Sequence, residues 1–220
     1  MACRRARAAP PIPDTAAGPA PAGNVELVAD QEHFERVVRR GILQATVSLD
    51  IATADFKALL IPTRYLAGRT GGRGQGPRSR GNSRNGAMSI VAVLAAMAER
   101  GVEVRILHAG VPSSPALREL RRGIPPNLVL RRCPRLHAKT VIIDARVMYL
   151  GSANLTGAGL GAKADGRRNF EWGAWTTATP LIDAIAQQFN RLWEGRQCPL
   201  CRRHDICPVP LEEPHLGPAQ

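Results

Sequence analysis

The stretch HAKTVIIDARVMYLGSAN, residues 137–154, sets a histidine, a lysine and an aspartate around an apolar run and closes on Gly-Ser-x-Asn. On a strand, side chains at i and i+2 share a face, so His137 and Lys139 can project into one pocket. Asp144 ends that run, and a second strand delivers Gly151, Ser152 and Asn154, with backbone N–H groups and a hydroxyl available to an anion. An imidazole beside an ammonium, a hydroxyl and a carboxamide suits a phosphoryl group. His137 can serve as nucleophile or acid near neutral pH, while Lys139 and Asn154 neutralise the oxygens of a pentavalent transition state. The chemistry needs no metal. The chain has only three lysines, Lys57, Lys139 and Lys163, and one of them stands two residues after a histidine.

Six identities at these spacings would arise by chance in a chain of this size only about once in several hundred thousand. A core histidine with an incidental surface lysine is the weaker reading. The pattern His-x-Lys-x4-Asp followed by Gly-Ser-x-Asn resembles the HKD signature of the phospholipase D superfamily. The resemblance extends from about Ala45 to Glu194, with ERGVEVRIL similar to the usual helix-to-strand passage. It implies a mixed β-sheet flanked by helices on both faces, and a phosphodiesterase working through a covalent phosphohistidine, with no catalytic cofactor. The family brings two such motifs to one active site, and this chain has one His-x-Lys, so the resemblance implies a homodimer sharing its active site across a two-fold axis. It also implies that Glu171, in RRNFEWG, orients His137 as the third member of a triad does. Asp144 reads as orienting or structural rather than as a proton carrier.

The elements that must position these residues alternate between strand and helix, which by itself argues an α/β sandwich. DQEHFERVVRRGILQA has helical spacing with Asp30 as its cap, ATVSLDIATA alternates Val47, Leu49 and Ile51 as a strand does, and ADFKALLI reads as a short helix before Pro62. SIVAVLAAMAERG and VEVRILHAG form a helix, a Gly stop and a strand; PALRELRRG is a helix and NLVLRRC a strand. FEWGAWTT is a further strand, and TPLIDAIAQQFNRLWE closes the domain with Leu181, Ile182, Ile185, Phe189 and Leu192 on its apolar face.

Three regions surround or interrupt this pattern: a Pro/Ala-rich disordered tail over 1–23, an Arg/Gly-rich flexible loop over 68–86 inside the catalytic domain (24–195), and a Cys-rich tail over 196–220. The loop is either an electrostatic arm for nucleic acid or a solvated insertion. A net charge of +12, almost all from arginine, favours polyanionic partners. Arg131, Arg132, Arg135, Arg167 and Arg168 flank the motif and are candidate substrate contacts, although solvated surface is the usual fate of such charges. Trp172 and Trp175 are candidates for base stacking or for core. There is no secretory signal pattern, no apolar run long enough for a bilayer and no anchoring helix, so the expectation is a cytoplasmic protein with no stable membrane insertion. The preferred substrate is DNA or RNA. The alternatives are a phospholipase D-type lipid phosphodiesterase or transphosphatidylase, and a non-catalytic nucleic-acid-binding component of a phage-defence complex.

QCPLCRRHDICPVP spaces Cys198, Cys201, His204 and Cys207 as C-x2-C-x2-H-x2-C, soft ligands that suit a structural zinc, with an iron–sulfur cluster the less favoured occupant. Cys133, just upstream of His137, can replace His204 as the fourth ligand and would staple the tail to the active-site strand. Unligated thiols are the remaining reading, and Cys3 is a bystander.

Overall fold

A computed structural model of the chain describes residues 23–66 and 86–216. Residues 1–22 of the anticipated 1–23 tail, Cys3 among them, and nearly all of the Arg/Gly-rich loop lie outside the described residues.

In chain order, β1 (Val25–Ala29) precedes a π-helical turn (Phe34–Arg39) and a 3-10 turn (Ile42–Gln44), and β2 (Ser48–Thr53) follows. β3 (Leu60–Pro62) and β4 (Ala87–Ser89) make a separate two-stranded hairpin, and Ser89 caps α1 (Ile90–Glu99) by accepting the Ala92 N–H on its hydroxyl. Next come β5 (Glu103–His108), α2 (Ser114–Leu120), β6 (Leu128–Arg132), β7 (Thr140–Ile143), β8 (Val147–Gly151) and β9 (Trp172–Thr176). The chain closes through α3 (Thr179–Trp193) and a single helical turn, α4 (Cys198–Cys201).

Seven strands form one mixed sheet in the order β1-β9-β8-β7-β2-β5-β6; β2, β5 and β6 run parallel, and the other pairs are antiparallel. Val37, Val38, Ile90, Leu94, Met97 and Leu120 bury one face of the sheet, over Leu49, Ile51, Val104 and Ile106. Phe189 and Trp193 of α3 cover Ala52 and Leu107 on the other face, and Ile182 covers Ile142 and Met148. The expected sheet with helices on both faces is what the chain forms. Leu181, however, is turned toward solvent, and Trp193 takes part in the apolar face of α3 instead.

Two local expectations fail for identifiable reasons. ADFKALLI makes no helix because its backbone is used across the fold: Lys57 N–H donates to the Leu155 carbonyl and Ala58 N–H to Ser113 Oγ, while Leu60–Pro62 pairs with β4. Asp30 caps no helix. Its φ is +44° and its carboxylate accepts the Glu171 N–H at 3.1 Å.

His108, at the end of β5, is fully buried and donates Nδ1–H to the Gly110 carbonyl at 2.8 Å; Nε2 has no partner among the described residues. Burial, aided by the Arg132 guanidinium, lowers its pKa from 6.5 to about 4. The unfolded chain therefore binds the proton first on acidification, so stability is intact above pH 6.5 and drains away toward pH 4, by about 3 kcal/mol for this one group. Denaturant unfolding at stepped pH should show that loss, and His108→Asn, which keeps a donor in the Nδ1 position, should flatten it. Equal pH slopes in the two proteins would refute the assignment.

Candidate active site

β2 ends, β7 begins, β8 ends and β9 begins along one edge of the sheet, and the residues with chemical potential gather there. His137 and Lys139 stand in the extended segment leading into β7 rather than on the strand itself, yet their side chains still converge. Lys139 Nζ lies 3.2 Å from both ring nitrogens of His137 and donates to the His137 carbonyl at 2.7 Å. The imidazole is exposed, whereas Lys139 is only 8% exposed. Burial lowers the lysine pKa, with the carboxylates of Glu171 and Asp55 pulling the other way. A buried ammonium beneath an exposed imidazole offers a cationic floor and an accessible nucleophile.

The Gly-Ser-x-Asn segment closes the second side. Ser152 donates its hydroxyl to Glu171 Oε2, and Ser152 Oγ accepts the Trp172 N–H at 3.0 Å. Glu171, 6% exposed, also accepts from Asn169 Nδ2 at 3.0 Å. Glu171 thus reaches the neighbourhood of Lys139, but its hydrogen bonds go to Ser152 and Asn169 and not to His137 within one chain. Asn154 turns Oδ1 inward to accept Ala54 N–H at 3.1 Å and Asp55 N–H at 3.0 Å. Those bonds lock the loop onto the end of β2 and leave Nδ2 with no partner among the described residues.

Asp144 is not with them. It sits at the far end of β7, about 16 Å of strand rise from Lys139. Its carboxylate accepts the N–H groups of Thr46, Val47 and Ser48 at 2.8–3.1 Å and the Thr46 hydroxyl at 2.9 Å. Asp144 and Ala145 both have positive φ, 51° and 52°, and make the tight β7–β8 turn closed by Arg146 N–H on the Ile143 carbonyl. Partial burial works against ionisation, but the donors from Ser48, Val47 and Thr46 outweigh it and hold the pKa below 3.8. The third letter of the motif is a clamp between strands, in line with its reading as structural.

Three flanking arginines are also spoken for. Arg131 donates to the Trp193 carbonyl at 2.7 Å and lies over that indole, Arg132 bonds the Ala109 carbonyl and Glu212, and Arg135 donates to Cys201 Sγ at 3.3 Å. They tie down the C-terminal segment instead of walling the pocket. Arg168 pairs with Asp165, and Arg167 is exposed. Trp175 packs into the core, while Trp172 is 66% exposed.

A buried relay supports the site, and reading the sequence did not find it. His33 donates Nδ1–H to the Asp30 carbonyl at 2.9 Å, because a carbonyl can only accept, and its Nε2 accepts from Tyr149 Oη–H at 2.9 Å. The same Oη accepts the Ala153 N–H, so the relay grips the chain between Ser152 and Asn154. Burial lowers the His33 pKa and pushes Tyr149 up to about 12. Tyr149 lies across two paired glycines: a Cβ at Gly173 would stand 2.3 Å from its ring, and one at Gly151 2.3 Å from its hydroxyl. The paired Gly151 and Gly173 were the visible signal, since glycine within strands marks a close approach.

Cys133, Cys198, Cys201, His204 and Cys207 line one small cavity beside this edge, so the tail does meet Cys133.

Residues 86–193 match the family model described as "Cardiolipin synthase, PLD-like domain". That span includes the whole constellation from His137 to Glu171. Among solved structures, NucT from Helicobacter pylori superposes with a TM-score of 0.53 at 17% identity, over 79% of this chain and 97% of that chain. Nuc from Salmonella typhimurium, a phospholipase D family member, superposes with a TM-score of 0.51 at 19% identity, over 79% of this chain and 95% of that one. At such identities the likeness concerns the fold. No curated protein sequence matches.

Proposed function

Starting from the chain's membership of the phospholipase D superfamily, whose PLD-like domain residues 86–193 match, we propose that it cleaves phosphodiester bonds of nucleic acid through a phosphohistidine on His137. The observation that carries this reading is the exposed His137 imidazole held against the buried Lys139 ammonium.

His137 attacks phosphorus, a P–N bond forms as the P–O bond breaks, and the leaving oxygen takes a proton from the partner's His137. That second imidazole, now neutral, removes a proton from water, whose oxygen displaces His137 and releases the phosphate. Lys139 and Asn154 Nδ2 face the non-bridging oxygens, while Ser152, its hydroxyl proton committed to Glu171, holds the Gly-Ser-x-Asn segment in place. A homodimer supplies the second histidine. Phe170 and Trp172, 87% and 66% exposed, flank Glu171 and give the two copies an apolar rim to share around the site. No helix among the described residues is long and apolar enough to cross a membrane, and the +12 charge suits a polyanion, with Arg167 and Lys163 exposed on the segment between Asn154 and Glu171.

The test is incubation of the protein with labelled single- and double-stranded DNA, RNA and phosphatidylcholine vesicles, with and without EDTA. Shortened nucleic acid in both buffers is expected. Choline release with intact nucleic acid, or no product in either buffer, would overturn the reading.

A further inference from the structure

The cysteine motif is not used by the chemistry above, and the fold gives it a definite setting. α4 is one turn long, so Cys198 and Cys201, three residues apart, lie on the same side of it. Arg202 then adopts a left-handed conformation, φ 52°, and reverses the chain; Cys207 N–H closes the loop on the Arg203 carbonyl at 3.0 Å. Beyond it the tail docks on β6. Arg132 N–H donates to the Glu212 carbonyl at 2.9 Å, the Arg132 side chain pairs with Glu212 at 3.1 Å, and Arg131 faces Glu213 at 3.7 Å. This docking carries the knuckle to Cys133, the first residue after β6.

The cavity they enclose is about 30 Å³, room for little more than one water-sized body. Four half-buried thiols line it, whereas His204, at its rim, is exposed. Arg132, Arg135 and Arg203 stand around it. That charge pattern suits a tetrathiolate holding a divalent cation, whose net charge is −2, better than it suits a neutral apolar knot. Among the described residues no three Cys, His, Asp or Glu side chains already form a metal-holding group, so occupancy requires the thiols to rotate inward, to about 2.3 Å from a common centre.

We propose that Cys133, Cys198, Cys201 and Cys207 bind one zinc ion, with His204 outside the ligand set. The ion would join the end of β6 to the C-terminal knuckle. Cys133 also begins the turn that accepts the Leu136 N–H at 2.9 Å, immediately ahead of His137, so the clamp sets the entry of the catalytic segment.

The experiment is metal analysis of full-length protein reconstituted with zinc under reducing conditions and then desalted, for wild type, Cys133→Ser, Cys207→Ser and His204→Ala. About one zinc per chain is expected in wild type and His204→Ala, with a loss of most of it in both serine variants. Cobalt substitution of the wild-type protein reads the donor set without any variant, and intense thiolate-to-cobalt charge transfer of a four-sulfur site is expected. Retention of zinc by Cys133→Ser, loss in His204→Ala, a cobalt spectrum of mixed sulfur and nitrogen ligands, or bound iron with acid-labile sulfide in place of zinc would each overturn the assignment. None of these readings depends on catalytic activity, so they stand or fall separately from the function proposed for His137.

Discussion

On the proposed mechanism, His137→Asn should lower turnover of nucleic acid by about three orders of magnitude or more, while leaving its binding nearly unchanged, because the substitution removes the proposed nucleophile and spares the cationic surroundings. His137 is exposed, and its contact with the buried Lys139 involves no packing of the core, so the fold should survive. Equal co-expression of wild-type and His137→Asn subunits carries the prediction further. If each reaction needs the imidazole of both copies, random pairing leaves only about a quarter of the dimers with two histidines, and activity per chain should fall to about that fraction rather than to a half. A fall only to half would mean that each chain works alone. Retained turnover in the purified variant would remove His137 from the chemistry altogether.

Asp144→Ala should produce the opposite signature, a large loss of stability with little loss of chemistry. The carboxylate satisfies backbone N–H groups at Thr46, Val47 and Ser48 and fits a turn position with φ of +51°. Removing it takes the acceptor from those donors at the entry to β2, an interior strand of the sheet, and about 2–3 kcal/mol should be lost in denaturant unfolding. Initial rates measured well below the melting temperature should stay within a few-fold of wild type, since the residue lies about 16 Å along β7 from Lys139. A thousand-fold drop in rate in a folded Asp144→Ala protein would place the aspartate in the reaction after all. Asp144→Asn, which keeps acceptor capacity on one oxygen, should fall between the two in stability.

Much of the site was legible because its members are short-range in sequence and of unusual type. His137 and Lys139 are separated by one residue, and Ser152 and Asn154 by one residue, and the two pairs are joined by the short β7–β8 hairpin. Arginine was harder. Nothing local distinguishes Arg131, Arg132 and Arg135 as anchors, because their partners, Trp193, Glu212 and Cys201, lie 62, 80 and 66 residues away. Their charges looked available for a phosphate backbone until the tail was seen to occupy them.

The sequence by itself determined the α/β class, the order of most elements and the residue types grouped around His137, since hydrophobic periodicity and motif spacing are local properties that the chain carries wherever it folds. Only the tertiary structure decided which polar groups meet. It paired β1, a five-residue edge strand whose alternation is too short to stand out, with β9, and so brought Asp30 against Glu171 and His33 under Tyr149. It moved the motif aspartate out of the pocket and into the β2 entry. It also laid Cys133 beside cysteines more than sixty residues later. The physical reason is common to all of these: a buried donor or acceptor must be satisfied by whatever the fold places within about 3 Å of it, and that neighbour is chosen by sheet order and chain reversal, not by distance along the sequence.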